Sequence, residues 1–228
     1  LFLTITNFKH HYMKLVIQLV LWVVIAALGY LLFNAIWGEV EFNEIKEKRY
    51  KAAITNMRDL RKAQLAHKTV TGKYEKDFDK LVRFIDTAEF TITQRRDTSV
   101  IDIEKTKRFR VDTKKNIVII DTLGTKSVKD SLFKGSDRYK TMINVPIEGI
   151  DAKYTMDAGE IEKNNTMYPV FEISLKKDIL LADQPKDYVA KEKQIVSVDG
   201  VNGDALTIGS MVSINTNSNF PKSYGVDD

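Results

Sequence analysis

From Leu15 to Trp37 the chain runs LVIQLVLWVVIAALGYLLFNAIW without a single charge, and no other stretch approaches that length. About 20 helical residues span the hydrocarbon core of a bilayer, so the run predicts one membrane-spanning helix. Gln18 and Asn34 are its strongly polar positions, and Trp22, Tyr30 and Trp37 supply rings that favour the interface. The competing reading is a cleaved secretory signal that starts at Met13-Lys14. Signal cores run about 7 to 15 residues, and Trp37-Gly38-Glu39 offers no small-x-small cleavage site. Retention as an anchor is therefore expected. Residues 1–14 are read as a leader or cytoplasmic tail, with LFLTITNFKHHY as translated upstream sequence of no structural weight.

Beyond the span the period becomes helical and amphipathic. Tyr50, Ala53, Ile54, Met57, Leu60 and Gln64 recur at spacings of three and four, opposite a face of Lys, Arg, Glu and Asp. The segment has no proline, and Thr69, Val70, Thr71 and Gly72 supply an ending, so the helix is expected to stop near Lys68. Joined to the span it would run about 55 residues, roughly 80 Å. Gly29 and Gly38 are its weak points, each costing about 1 kcal/mol relative to alanine.

After Gly72, Asp77 can cap a short helix with Phe78, Leu81, Val82 and Ile85 on its apolar face. From about Glu89 the runs EFTIT, VIDI, FRV, NIVIID, AKYTM, PVFEISL, QIVSV and ALTI are rich in β-branched and aromatic residues, which predicts antiparallel sheet. The clearest hairpin signal is QIVSVDGVNGDALTI, with the DGVNGD cluster as its turn. The last stretch, NTNSNFPKSYGVDD, loses periodicity and is expected to trail over the surface or to be disordered. The expected fold class is α+β. Its divisions are a leader at 1–14, a transmembrane helix at 15–37, an amphipathic helix or stalk at 38–71, an antiparallel β-rich domain at 72–216 and an irregular tail at 217–228.

Composition narrows the function classes. The net charge of +4 lies in mixed runs such as KEKRYK, KTKRFR and KDYVAKEK, which read as solvated faces and not as a nucleic-acid surface. There is no cysteine, so disulfides, thiolate catalysis and the usual structural zinc sites are excluded. Lys9 and Lys14 precede the span and Lys46, Lys48, Arg49 and Lys51 follow it, a count that by itself puts the C-terminal part in the cytoplasm. Those cations sit about two turns past the span among Glu39, Glu41, Glu44 and Glu47, and large domains translocate largely regardless of charge. An N-in, C-out anchor is the expectation.

The order of span, amphipathic helix, short loop and helix, then antiparallel sheet is similar to that of type IV pilins and type II secretion pseudopilins. Within MRDLRKAQLAHKTVTGKYEKDFDKLVRF, the positions Gln64, Gly72, Tyr74, Asp77, Asp79 and Leu81 resemble the end of the pilin long helix and the turn after it. The likeness covers roughly residues 15 to 85 and does not extend to the sheet region. The chain departs from the family at its start, where Tyr12-Met13-Lys14 replaces the small residue before the cleavage point. Gln18 stands near the place of the Glu that pairs with a neighbouring subunit's amino terminus. A buried Gln can still hydrogen-bond between helices in a membrane, worth on the order of 1 kcal/mol. The resemblance implies a structural subunit in which the stripe from Tyr50 to Leu60 docks the helix on its own sheet while Gln18 and the opposite helix face mediate subunit contact, so Gln18, Tyr50, Ile54, Met57, Leu60 and Gln64 are the expected subunit or packing interface. The plain alternative is that the stripe is core and that Gly72-x-Tyr74 is an ordinary helix cap followed by an aromatic plug.

Catalytic chemistry is sparse. His10 and His11 lie in the leader, and His67, near a helix end, reads as a capping or interface residue. Ser131 to Lys134 and Ser174 to Lys177 have the S-x-x-K spacing, but the second falls on a predicted strand, where residues three apart face opposite ways. Asp199, Asn202 and Asp204 lack the alternating ligands and terminal Glu of a calcium loop. No phosphate loop, H-E-x-x-H or G-x-S-x-G motif is present. Asp86-Thr87-Ala88, Asp121-Thr122-Leu123, Asp130-Ser131-Leu132 and Asn164-Asn165-Thr166 resemble glycosylation triplets of exported proteins.

The expectation is a non-enzymatic, single-pass envelope protein without catalytic residues, cofactor, metal, nucleic acid or small-molecule substrate. It is placed in the inner membrane with its C-terminal domain periplasmic or extracellular, or assembled in a surface filament. Its partners are the membrane and either further copies of itself or other subunits of a secretion, adhesion or motility assembly. A permanently anchored scaffold is the alternative, and a membrane-anchored enzyme the third reading.

Overall fold

A proline-free sequence dense in Leu, Ala, Lys and Glu forms one unbroken helix, α1, from Phe2 to Thr71, about 105 Å long at 1.5 Å per residue. The structure is a computed structural model that describes the backbone of residues 2–224 and the side chains of 13–33 and 36–224. The side chains of Asn34 and of the leader histidines His10 and His11, and tail residues 225–228, thus lie outside what is described. The helix runs three residues past Lys68 and closes where Gly72, at φ +83°, donates its N–H to the Lys68 carbonyl at 2.8 Å. Gly38 is a close approach and not a flaw, since a Cβ there would lie 2.9 Å from the Tyr188 hydroxyl. Its open flank lets the body of the protein begin one residue past Trp37.

Helix α2, Phe78–Thr87, starts at Asp77, whose carboxylate accepts the Lys80 N–H at 3.1 Å. Two sheets follow. The first is a two-stranded antiparallel ribbon of β1, Glu89–Ile101, and β2, Lys114–Ser127, joined by the short helix α3, Ile103–Phe109. The pairing runs from Glu89 with Ser127 to Ile101 with Lys114, and a bulge opposite Ile92/Thr93 leaves Leu123 without a partner. VIDI is therefore no strand of its own. Val100 and Ile101 end β1, and Asp102 caps α3 by accepting the Lys105 N–H. FRV is corrected too, because Phe109 closes α3 and Arg110 turns the chain at φ +54°.

Helix α4, Val128–Phe133, and a 3-10 turn at Arg138–Lys140 lead through an irregular segment into the second sheet. That sheet is an antiparallel meander of β3, Thr155–Lys163, β4, Thr166–Lys176, and β5, Ala205–Gly209, in the order β3-β4-β5. Asn164 and Asn165, both at positive φ, form the tight turn between β3 and β4. Between β4 and β5 the chain makes α5, Lys177–Leu180, and α6, Lys186–Lys193. The hairpin expected at QIVSVDGVNGDALTI does not form. Only its second half, β5, is a strand, and Val196 and Val198 stand in solvent at 92% and 90% exposure.

The core lies between α1 and the three-stranded sheet. Phe171, Ile173 and Leu175 of β4 and Leu206 and Ile208 of β5 alternate inward and meet the stripe of Tyr50, Ala53, Ile54, Met57 and Leu60. Leu81 and Ile85 of α2 and Val128 and Phe133 of α4 close one flank. The described part of the tail is docked and does not trail. Ser218 bridges to Ile208, Phe220 is buried, and the Asn219 side chain binds the Asn202 and Ala205 carbonyls and the Thr207 N–H. Unpaired backbone groups on the outer side of β5 attract these asparagine contacts, which satisfy a sheet edge without adding a strand. The molecule is α+β, with a long N-terminal apolar helix and two antiparallel sheets.

Candidate assembly surfaces

Among the described residues, the apolar stretch of α1 packs on no other element. Every described side chain from 13 to 33 is exposed, including Trp22 and Tyr30 at 66% each. Phe33 and Trp37 stack at 5.7 Å along one face. This helix is long and apolar enough to cross a membrane. Gln18 lies among these exposed apolar residues and is itself exposed.

The C-terminal half of α1 is the spine of the body. Tyr50, Ile54, Met57, Leu60 and Gln64 all have zero exposure, so the structure brings these five together inside the body and leaves Gln18 apart from them. Gln64 holds the turn after the helix. Its Nε2 donates to the Glu75 carbonyl and its Oε1 accepts the Glu75 N–H at 3.0 Å, so one amide satisfies both backbone groups of a loop residue. Tyr74 then plugs in beside Phe171, ring centroids 4.5 Å apart. His67 lies next to this turn, with Nδ1 2.7 Å from the Lys73 carbonyl and its ring edge-on to Phe84.

A buried polar lattice fastens α1 to α5 and α6. Glu192, 3% exposed, accepts from the Tyr50 hydroxyl at 3.0 Å and from Lys46 Nζ at 3.0 Å, while Lys177 Nζ lies 3.4 Å from the same carboxylate. Lys177 is wholly buried and also donates to the Glu192 and Val201 carbonyls, each at 2.7 Å. Burial pulls the Lys177 ammonium below its ordinary range, and Glu192 partly restores it. Burial, followed by the Glu192 charge, pushes the Tyr50 phenol well above its usual range. At the surface end of this lattice Arg49 grips Asp183 with both terminal nitrogens, at 2.5 and 2.7 Å, and donates to the Leu180 carbonyl. The Arg49 hydrogen bonds hold the Asp183 carboxyl at about 2. Sequence reasoning missed this lattice, because KDYVAKEK reads as a solvated charge run that hides Glu192, and Lys177 drew notice only for an S-x-x-K spacing.

The ribbon is the third surface. Among its apolar positions Ile101, Ile103, Phe109 and Val111 at the tip are 54%, 66%, 60% and 67% exposed, and Ile120 and Leu123 are 66% and 64% exposed. Directly paired residues share a face, so Arg96 with Ile119 points one way and Arg95 with Ile120 the other. Both faces of the ribbon therefore mix aliphatic and charged side chains. Arg96 pairs with Asp121 at 2.5 Å and Arg95 with Asp97 at 3.4 Å.

The remaining candidates form no reaction centre. Ser174 ends in β4 while the Lys177 ammonium is taken up by three acceptors inside the body. Lys134 is the left-handed residue that closes α4 after Ser131. Asn202 Oδ1 accepts the Ser197 N–H, and among the described residues no group of three His, Asp or Glu side chains is placed to hold a metal. No family model, curated protein or solved structure matches the chain.

Proposed function

We propose that this chain is a non-enzymatic, single-pass envelope protein that acts as a pilin- or pseudopilin-like subunit of a surface filament, secretion, adhesion or motility assembly. The observation that carries the proposal is the division of α1, a single helix whose described residues 13–33 are mostly apolar and all exposed and whose second half is the core spine of a β-domain. A helix with that division has to find a second apolar medium for its first half, and a bilayer or a bundle of like helices supplies one. Gln18, the polar side chain on the bare half, is the natural contact between neighbouring helices. The body sits in this reading on the outer side of the inner membrane.

A permanently anchored, partner-binding scaffold is the second reading, and the exposed ribbon favours it. Mass spectrometry of the N-terminal peptide, comparing the membrane fraction with material sheared from the cell surface, separates the two. A trimmed or methylated terminus near Lys14 in the sheared fraction supports an assembled subunit. An intact Met13 terminus confined to membranes removes filament assembly and leaves the scaffold. Gln18→Leu should abolish assembly in the first case and be nearly silent in the second.

A further inference from the structure

We propose that the tip of the β1–β2 ribbon docks on the anionic surface of the same bilayer that holds α1. The inference rests on the proposed anchoring only in its choice of bilayer. Its physical basis is the chemistry of the tip. Between Ile101 and Lys115 stand Lys105, Lys107, Arg108, Arg110, Lys114 and Lys115 against Asp102, Glu104 and Asp112, an excess of three positive charges. The same segment presents Ile101, Ile103, Phe109 and Val111 to solvent, each more than half exposed. Cations around a small apolar wedge are complementary to a bilayer with anionic headgroups, where each cation adds to binding and the apolar side chains enter the acyl boundary. A second copy of the tip would carry the same excess charge and be repelled.

Stability argues for a docking surface as well. A two-stranded ribbon with both faces in water is marginal on its own, and this one receives no third strand from the rest of the chain. Reach agrees. The ribbon base joins α2, whose Phe84 packs on His67, 30 residues past Trp37 and so about 45 Å along α1 from the end of the apolar run. The paired strands extend for about 40 Å before the tip begins. With the tip helix α3 added, the arm is comparable in length to the height of its own base, and tethering through α1 keeps the bilayer at high effective concentration.

The chain has no cysteine, so Val111→Cys gives a single attachment point for an environment-sensitive fluorophore in the full-length protein. The labelled protein is reconstituted into vesicles of phosphatidylcholine alone or with phosphatidylglycerol. The expected result is a blue shift and a several-fold rise in emission only where phosphatidylglycerol is in the protein's own bilayer, quenched by brominated lipid and reversed by high salt. Replacing Lys105, Lys107 and Arg108 together by Gln removes the charge excess and lowers occupancy of the docked state by roughly a hundredfold. Phe109→Ser keeps the charges and should lose the brominated-lipid quenching, with unchanged circular dichroism of the body as the folding control. Emission that is equal in both lipids overturns the proposal. So does emission that follows protein density instead of lipid charge, or that rises only when phosphatidylglycerol vesicles are added to phosphatidylcholine proteoliposomes. Failure of the protein to float with either vesicle removes the anchoring reading itself and is scored separately.

Discussion

Glu192→Gln tests whether the buried lattice fastens the body to α1. The substitution keeps the shape and one acceptor but removes the negative charge between Lys46 and Lys177, whose ammonium groups lie 3.0 and 3.4 Å from the carboxylate. Lys177 has no exposure through which to reach water, and it would keep the backbone carbonyls of residue 192 and Val201, the neutral amide and the more distant charge of Asp204. Removing one partner of a buried ion pair costs about 3–5 kcal/mol, and the retained amide puts the expectation at the lower end, about 3 kcal/mol. For a body of this size that corresponds to a fall in Tm of roughly 10 °C. The sign with pH follows from Lys177. Its folded pKa is already lowered by burial and loses the restoring charge of Glu192, so the unfolded chain binds more protons between the folded value and the ordinary lysine range. Stability of the variant should therefore recover as pH rises through that window, while below it the full loss remains. Urea unfolding of the full-length protein in detergent, followed by the near-ultraviolet signal of its buried tyrosines, measures both effects. A loss under about 1 kcal/mol, or one that does not change up to the ordinary lysine range, would refute the assigned role.

Three further outcomes follow from single contacts. Asp183→Asn should cost under about 1 kcal/mol because the carboxylate is 58% exposed and screened; its depressed carboxyl contributes above the ordinary range near about 4, so the difference from the parent in thermal melts should vanish as pH falls toward 2. Gln64→Leu leaves both backbone groups of Glu75 without their partners, so it should cost about 2 kcal/mol and accelerate hydrogen exchange at the Glu75 amide, whereas unchanged exchange would contradict the brace. Gly209→Ala places a Cβ 2.2 Å from the Phe171 carbonyl oxygen at φ +82°, and the β3-β4-β5 sheet should lose about 3 kcal/mol or more, read as protease sensitivity of the body.

What could be read from the chain depended on the length of each signal. The apolar run and the stripe from Tyr50 to Gln64 extend over several helical turns, so their period outweighs local noise and points to α1 without ambiguity. Asp77 was legible because an N-cap is a local hydrogen bond with its own residue preference. Helices α4, α5 and α6 were not, since four to eight residues hold at most two turns and tertiary contacts decide them. QIVSV shows the opposite failure: its β-branched residues suit a strand, but Ile195 to Val198 have no neighbouring strand to pair with, and Val196 and Val198 face solvent. The ribbon strands were visible in EFTIT and NIVIID, but alternation cannot say whether a strand joins a larger sheet. Lys177 was noticed only for its S-x-x-K spacing and Glu192 only within a charge run, because a buried ion pair and a solvated charge run are spelled with the same letters.

The continuity of α1 links the surfaces to one another. No proline interrupts the helix, and Gly38, the residue best suited to a hinge, is held by the approach of Tyr188 while Phe42 stacks on the same ring at 5.2 Å. The body therefore begins within about two turns of the apolar run, and its orientation about the helix axis is tied to the span. Each helical residue turns the chain by about 100°, so the azimuth of Gln18 relative to the Glu192 lattice and the ribbon base is set by the number of residues between them. A one-residue insertion before Gly38 would leave every contact of the body intact and still rotate the bare face by nearly a third of a turn. A contact made by Gln18 in the membrane and one made by the ribbon outside it cannot both survive that rotation, whereas a loose tether would tolerate it. The body of this protein is thus aimed, as well as held, by the apolar stretch of α1.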